Sequence, residues 1–322
     1  MEKKWAFKPK KINKHEFMAL ISPPLLPARL APGDTVAVVA PSSPFIREKF
    51  QKGISVLAEM GLRPLFMEGI YETRGYLAGS DPHRTRLIHE SFTDHSVKAI
   101  FCARGGYGAL RLLDLLDFGL VASHPKVFIG CSDVSVLLNV FYSRCGLVTF
   151  HGPMMESLGQ ATQPTKQALI DALFAGDPLT VTAENKLVIR SGTCSGVVSG
   201  GNLTTLCHLV GTPYVPDFSG HILMLEDVGE QPYRIDRMLI HMRMAGCFKD
   251  LAGLALGSFK DCGDPDQIYR IFEDIFSDVP IPILAGFNVG HDEPNLTIPF
   301  GIRATLDADD GRLQFSEPGV AG

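Results

Sequence analysis

A strand pattern passes directly into a helical pattern within Phe128-Ile129-Gly130-Cys131-Ser132-Asp133-Val134-Ser135-Val136-Leu137-Leu138. The apolar run ends at a glycine, and an apolar run with helical spacing follows at once. Strand patterns of the same kind occur at 34–40 and 97–103, and a helical pattern follows each of them. This alternation predicts βαβ units and an α/β fold with a mostly parallel sheet.

Ser132 lies at the turn between this predicted strand and helix. Such a turn can expose a serine hydroxyl at the top of a sheet, as in the nucleophile elbow Gly-x-Ser-x-Gly. The match is partial, because the second glycine of that motif is absent here. Serine and aspartate are also preferred helix N-caps, so this stretch alone leaves a capping function for Ser132 open.

The composition predicts a soluble, globular protein of one large or two ordinary domains. The chain has 322 residues, of which 45% are hydrophobic and 20% charged, and a net charge of -5. This mild acidity gives no indication of a nucleic-acid partner. Residues 1–27 form a basic N-terminal extension without an apolar run long enough for a signal peptide or a membrane span. We therefore expect a cytoplasmic protein.

The seven cysteines are scattered and odd in number, and they include no Cys-x-x-Cys pair. This pattern is typical of reduced core residues in a cytosolic protein. The sequence also lacks His-Glu-x-x-His, so the usual zinc spacings are missing. We expect a site that needs neither a metal nor a cofactor.

A glycine-rich turn, Arg104-Gly105-Gly106-Tyr107-Gly108, joins the strand pattern at 97–103 to a helical pattern at 110–116. Its backbone N–H groups can bind an anion. The third glycine of a dinucleotide fingerprint is missing, and so is the Gly-Lys-Ser/Thr ending of a P-loop. The turn therefore predicts an anion site without predicting a nucleotide.

Weak periodicity between about residues 160 and 189 divides the chain. We predict an N-terminal α/β domain at 28–165, a linker at 166–195 and a C-terminal domain at 196–322. The C-terminal part contains strand patterns at 221–225 and 283–287.

Three polar residues, Ser132, Glu226 and His291, each lie at or just past the C-terminal end of a predicted strand. Ligands of open α/β sheets bind at that edge. The chain order Ser, Glu, His is also that of the α/β-hydrolases, although the order alone is not diagnostic. The three residues are therefore a candidate catalytic triad.

Five sequence blocks together point to a family. They are Ala40-Pro41-Ser42-Ser43, Ala103-Arg104-Gly105-Gly106-Tyr107-Gly108, Gly130-Cys131-Ser132-Asp133, Leu225-Glu226-Asp227-Val228-Gly229-Glu230 with Pro232-Tyr233-Arg234-Ile235-Asp236-Arg237, and Gly290-His291. In these blocks, which span nearly everything from Ala31 onward, the chain resembles the LD-carboxypeptidase family. This family of serine peptidases includes murein tetrapeptide LD-carboxypeptidases and microcin-immunity peptidases.

The resemblance implies that Ser132 is the nucleophile, Glu226 the acid and His291 the base. It also implies an N-terminal parallel-sheet α/β domain, a C-terminal β-rich α/β domain, an active site in the cleft between them, and a homodimer. The chemistry is consistent, because a serine hydroxyl needs a base, and a carboxylate fixes the imidazole tautomer. The N–H groups of Gly106 and Asp133 are our candidates for the oxyanion hole.

Other residues could take the place of each member of this triad. Asp227 and Glu230 compete with Glu226 for the acid, and His151 competes with His291 for the base, although we favour a packing or turn function for His151. Cys131 stands where the family usually carries an aromatic or other bulky residue. We keep Ser132 as nucleophile, because neighbours at such a turn point in different directions. Three arginines for which we favour a structural function could instead bind a substrate carboxylate: Arg104, Arg234 and Arg237.

The resemblance thus implies a serine carboxypeptidase that cleaves the L,D-peptide bond before the terminal D-alanine of murein tetrapeptides during cell-wall recycling. The reaction would form an acyl-enzyme on Ser132. One alternative is an immunity-type amidase acting on a peptidyl-nucleotide antibiotic of the microcin C class. Another is a non-catalytic ligand-binding protein on the same fold, which holds an anion at the glycine turn.

Overall fold

The structure is a computed structural model that describes residues 23–322. The strands are β1 (Thr35–Val39), β2 (Arg63–Phe66), β3 (Val97–Cys102), β4 (Val127–Gly130), β5 (Thr149–His151), β6 (Thr180–Thr182), β7 (Leu187–Arg190), β8 (Thr193–Asn202), β9 (His221–Val228), β10 (Gly253–Lys260), β11 (Ile283–Ala285), β12 (Ile298–Phe300), β13 (Arg303–Asp307) and β14 (Arg312–Phe315). The helices are α1 (Arg47–Glu59), α2 (Asp81–Thr93), α3 (Phe118–Ser123), α4 (Ser135–Cys145), α5 (Met155–Leu158), α6 (Gln163–Ile170), α7 (Leu203–Cys207), α8 (Pro232–Met244) and α9 (Pro265–Ile275).

The first sheet has six strands in the order β12-β5-β4-β3-β1-β2. Strands β1 to β5 pair in parallel, and β12 pairs antiparallel with β5. The central strands are buried along almost their whole length, as the continuous apolar runs predict for a sheet covered on both faces. The predicted α/β fold with a mostly parallel first sheet is confirmed.

The second sheet has eight strands in the order β6-β14-β13-β8-β9-β10-β11-β7. Its centre, from β8 to β11, is parallel. The outer strands pair antiparallel with their neighbours. The chain therefore has two sheets in a two-domain layout, and the second sheet is the β-rich α/β part that was expected.

The structure differs from the predicted organisation in several segments. The segment 166–195, predicted as a linker, holds β6 and β7, which pair with β14 and β11 of the second sheet. Strand β12 lies within the predicted C-terminal domain but joins the first sheet, where it covers the free edge of β5. The domain boundaries at 28–165 and 196–322 remain a prediction.

The predicted helix at 110–116 is also shorter than expected. A single 3-10 turn forms at Ala109–Leu112. The next helix, α3, begins soon afterwards, where the Asp117 side chain accepts a hydrogen bond from Leu120 N. One turn is sufficient to bury Leu112 and Leu113.

Helix α4 joins the two sheets. It follows the turn that contains Ser132, and most of its side chains are buried, so it packs on nearly all sides. The Asn139 side chain donates to Gly200 O at 2.6 Å and accepts from Gly200 N at 3.1 Å. These bonds fix the helix behind Ser132 to strand β8, which is the neighbour of β9.

Most of the predicted basic extension, residues 1–22, lies outside the described residues. Of the remainder, Leu25 donates to Gly146 O and accepts from Val148 N. Between residues 23 and 322, no helix is long and apolar enough to cross a membrane.

Candidate active site

Ser132 follows β4 by two residues and has a left-handed backbone, with φ of 60°. Few residues other than glycine adopt this conformation, and such strain is found at functional sites. The residue is half-buried, and its hydroxyl has no hydrogen-bond partner among residues 23–322. Ser132 does not cap this short turn. The N-cap is Cys131, whose side chain makes no capping hydrogen bond.

The glycine turn approaches Ser132 closely at Gly105. A Cβ atom on Gly105 would lie 2.7 Å from Ser132 Cβ and 2.9 Å from Ser132 Oγ. These distances are shorter than van der Waals contact, so only glycine fits beside the hydroxyl. Gly106, the next residue, has φ of +99°, and a Cβ there would lie 2.4 Å from Ser43 Oγ.

The Asp133 carboxylate holds the surrounding loops together. It accepts from Ser42 Oγ at 2.6 Å and from Ala109 N at 2.8 Å. Burial raises the pKa of Asp133, while these two hydrogen bonds favour its charged form. In the described part of the chain, the N–H groups of Gly106 and Asp133 donate to no protein acceptor.

Glu226 and His291 form a hydrogen-bonded pair in which Nδ1 of His291 lies 2.6 Å from Oε2 of Glu226. Glu226 is wholly buried inside β9, and His291 lies six residues past β11. Burial alone would raise the pKa of Glu226, but the charge of His291 and contacts with two histidines lower it to about 2. Burial lowers the pKa of His291, but the Glu226 carboxylate outweighs this and raises it above its ordinary value.

The other two carboxylates near Glu226 are engaged elsewhere. Asp227 accepts from the Asn202 side chain at 2.9 Å and from the Thr204 N–H and hydroxyl at 2.9 and 2.8 Å. Glu230 lies 3.4 Å from Arg234 on the surface. Of the three candidates for the acid, Glu226 is therefore the one that contacts the histidine.

The loop that carries His291 is anchored at several points. His291 N donates to Ser258 Oγ at 3.2 Å, and Lys260 Nζ donates to His291 O at 3.2 Å. Two residues further on, the Glu293 carboxylate accepts from the Thr162 and Thr165 hydroxyls at 2.9 and 2.7 Å. The loop is thus anchored by residues of both predicted domains.

Helix α4, which follows the turn of Ser132, contacts β8, the strand beside the one that carries Glu226. Ser135, three residues after Ser132, accepts from Asn202 N at 3.1 Å, and Asn202 is the register partner of Glu226. No hydrogen bond joins Ser132 to His291 within residues 23–322. Catalytic hydrogen bonds are often long without substrate and shorten in the substrate complex.

The remaining candidates have structural surroundings. Burial and the nearby charge of Glu226 raise the pKa of the Cys131 thiol far above its usual range, so it stays protonated. Arg104 donates to Pro44 O at 2.8 Å and lies 3.2 Å from Glu156. No group of three or more His, Cys, Asp or Glu side chains in the described residues could hold a metal ion.

His151 has a position that sequence reasoning missed. It is the last residue of β5 and is wholly buried. Its Nε2 lies 3.7 Å from Oε1 of Glu226. The partner of His151 comes from the second sheet, and no local sequence pattern reveals that contact.

Comparisons with known proteins match both parts of the chain. The sequence model of the LD-carboxypeptidase N-terminal domain matches residues 36–152, and that of the LD-carboxypeptidase C-terminal domain matches residues 195–306. The chain is 37% identical to a probable murein peptide carboxypeptidase of Bacillus subtilis, over 92% of this chain and 95% of that protein.

Two further comparisons cover most of both chains. The chain is 32% identical to the murein tetrapeptide carboxypeptidase of Pseudomonas aeruginosa, over 85% of this chain and 93% of that protein. The solved structure of the microcin C7 self-immunity protein MccF in complex with aspartyl sulfamoyl adenosine is 27% identical. It covers 92% of this chain and 100% of its own, with a TM-score of 0.85.

Proposed function

Because the chain belongs to the LD-carboxypeptidase family, we propose that it is a serine carboxypeptidase that removes the terminal D-alanine of murein tetrapeptides. The observations that carry this proposal are the 2.6 Å hydrogen bond between Glu226 and His291 and the strained, left-handed backbone of Ser132. The names of the relatives from Bacillus subtilis and Pseudomonas aeruginosa support the substrate class.

The proposed acylation step uses each member of the triad. Nε2 of His291 takes the proton of Ser132 Oγ as the oxygen attacks the carbonyl carbon of the L,D-peptide bond. Glu226 accepts the Nδ1–H of His291 and stabilises the positive imidazolium. The raised pKa of His291 suits this function, because a stronger base takes the hydroxyl proton more readily.

The tetrahedral intermediate carries a negative oxygen that needs N–H donors. The unengaged N–H groups of Gly106 and Asp133 are the proposed oxyanion hole, held in position by the Asp133 carboxylate. Losing one such donor typically costs about 3 kcal/mol of transition-state stabilisation.

The intermediate collapses when the C–N bond breaks and His291 gives its proton to the departing D-alanine amine. A water molecule then attacks the acyl-enzyme, and His291 takes a proton from that water. The bond between the acyl group and Ser132 Oγ then breaks, and His291 returns the proton to that oxygen. The shortened peptide is released. The protein's own side chains supply every proton transfer in this sequence.

The proposal extends to the cellular setting. We place the enzyme in the cytoplasm, where it recycles murein fragments, and we expect a homodimer. Sedimentation of the purified full chain tests for the homodimer. A single species with the mass of the monomer would exclude it.

A second candidate is an amidase that acts on a peptidyl-nucleotide antibiotic of the microcin C class. The observation that favours it is the TM-score of 0.85 to MccF with bound aspartyl sulfamoyl adenosine. A substrate panel separates the candidates: L-Ala-D-Glu-meso-diaminopimelyl-D-Ala, the same peptide ending in L-Ala, and aspartyl sulfamoyl adenosine. The carboxypeptidase hydrolyses the first alone, and the amidase hydrolyses the third. A binding protein hydrolyses none.

A further inference from the structure

His151 lies at the junction of the two sheets. It is the last residue of β5, where it is in register with Gly130 of β4, two residues before Ser132. On its other side it pairs with Ile298 of β12. The ring is fully buried and tilts against the ring of Phe300, with 5.6 Å between centroids. The residue thus connects the strand before the nucleophile to the interior of the site.

Three polar atoms at this junction have no hydrogen-bond partner in the part of the chain that the structure describes. They are Nδ1 and Nε2 of His151 and Oε1 of Glu226, all of them buried. Buried polar atoms are almost always hydrogen-bonded, so each exception needs an explanation. Two of the three face each other, because Nε2 of His151 lies 3.7 Å from Oε1 of Glu226.

This separation is slightly longer than a hydrogen bond. Hydrogen bonds of catalytic groups are often long without substrate and shorten in the reacting complex. A movement of less than 1 Å brings the two atoms into hydrogen-bond range. The two unpartnered groups are complementary, since a neutral imidazole supplies one N–H and the carboxylate oxygen accepts it.

We propose that His151 is a positioning residue whose Nε2–H donates to Oε1 of Glu226 while Oε2 of the same carboxylate holds His291. Glu226 then has both oxygens fixed, one by each histidine, and cannot rotate away from Nδ1 of His291. His151 is not an alternative base, because its ring is fully enclosed and Glu226 separates it from His291. The charge of His291 and the contacts of both histidines, which lower the pKa of Glu226, agree with this arrangement.

The competing explanation is that His151 only fills space against Phe300. An apolar side chain of similar size would do that equally well, and without leaving two ring nitrogens unpartnered in the interior. The two explanations therefore differ in what an N–H donor contributes at this position.

The test compares His151→Gln with His151→Met in the full chain. The two side chains are similar in length and volume, but only glutamine places an N–H donor near the position of Nε2. Because the inference rests on the proposed serine mechanism, we would measure labelling of Ser132 by a fluorophosphonate, together with kcat and KM for D-alanine release and the melting temperature.

We expect His151→Met to lower the labelling rate and kcat about 10- to 100-fold, the typical effect of leaving a buried charged group without a partner. KM should stay nearly unchanged, and His151→Gln should recover most of the loss. If His151→Met does not fold, His151→Phe replaces it as the variant without a donor. Equal rates in the wild type and a folded variant without a donor would overturn the inference, and so would an equal loss in the glutamine variant. A wild type that is not labelled and releases no D-alanine would instead overturn the proposed function.

Discussion

Nδ1 of His291 lies 2.6 Å from Oε2 of Glu226, although one residue lies in a strand, the other in a loop, and the two are 65 positions apart. One partner is completely buried in β9, and the other lies in a loop whose backbone is fixed by Ser258 and Lys260. A buried carboxylate that keeps its charge beside a histidine is a typical device for orienting a catalytic base.

Replacing Glu226 with glutamine should abolish most of the activity. The amide carries no charge to stabilise the imidazolium and does not fix the same tautomer, so kcat should fall by about 10⁴-fold. The measurement is the rate of D-alanine release by Glu226→Gln, compared with that of Glu230→Gln and of the wild type. Glu230 forms only a surface ion pair, and its variant should behave like the wild type. Equal losses in both variants would contradict the assignment of the acid.

A methyl group on Gly105 should block the site without unfolding the protein. The added Cβ would lie 2.9 Å from Ser132 Oγ, which is too close for the hydroxyl to keep its position. We expect Gly105→Ala to lose at least about 100-fold in kcat/KM, as a misplaced reacting group does. Gly119→Ala in helix α3 is the matched control and should retain activity. An active Gly105→Ala enzyme would show that the turn does not approach the reacting hydroxyl.

The Asp133 side chain should contribute to stability as well as to the oxyanion hole. Asp133→Ala leaves the Ser42 hydroxyl and the Ala109 N–H without their acceptor. Unsatisfied buried groups cost about 1–3 kcal/mol each, so urea denaturation should show a loss of this order. The activity of the folded fraction should fall too, because the glycine turn loses its anchor. A variant with wild-type stability would exclude this anchoring function.

The pH profile should show a base with a raised pKa. His291 takes a proton only when it is neutral, so kcat/KM should fall as the pH drops through a pKa above the ordinary 6.5 of histidine. The pKa of Glu226, about 2, lies below the pH range of the activity measurement, so Glu226 stays charged throughout. Because the charge of Lys260 lowers the pKa of His291, Lys260→Met should move the acid limb to higher pH. Lys249→Met, at an exposed lysine, is the control, and a limb that moves to lower pH in Lys260→Met would contradict the account.

Local patterns were sufficient to predict three central strands of the first sheet, β1, β3 and β4, and the turn that contains Ser132. The β-branched runs of β1, β3 and β4 are buried on both faces, and this burial gives them their continuous apolar sequences. The glycine before Cys131 and the helix after it identify the turn of Ser132. The resemblance to a known family then selected Glu226 and His291, because a histidine in a polar loop has no distinctive local pattern of its own.

Features that depend on contacts between distant segments could not be predicted in this way. The pairing of β12 with β5 rests on three residues and joins opposite ends of the chain. Asp133 was chosen for its N–H alone, since its carboxylate partners lie on two other loops. Gly105 was named only as part of the turn, and its closeness to Ser132 becomes visible only when β3 and β4 are placed side by side.

The most direct test of the account is the release of D-alanine from L-Ala-D-Glu-meso-diaminopimelyl-D-Ala by the purified protein and by Ser132→Ala, with the melting temperature of each. We expect release by the wild type, and a rate lower by about a millionfold in the folded variant. Loss of a helix cap would instead cost only about 1 kcal/mol of stability and leave the rate intact. A folded Ser132→Ala protein that still releases D-alanine at the wild-type rate would show that Ser132 is not the nucleophile.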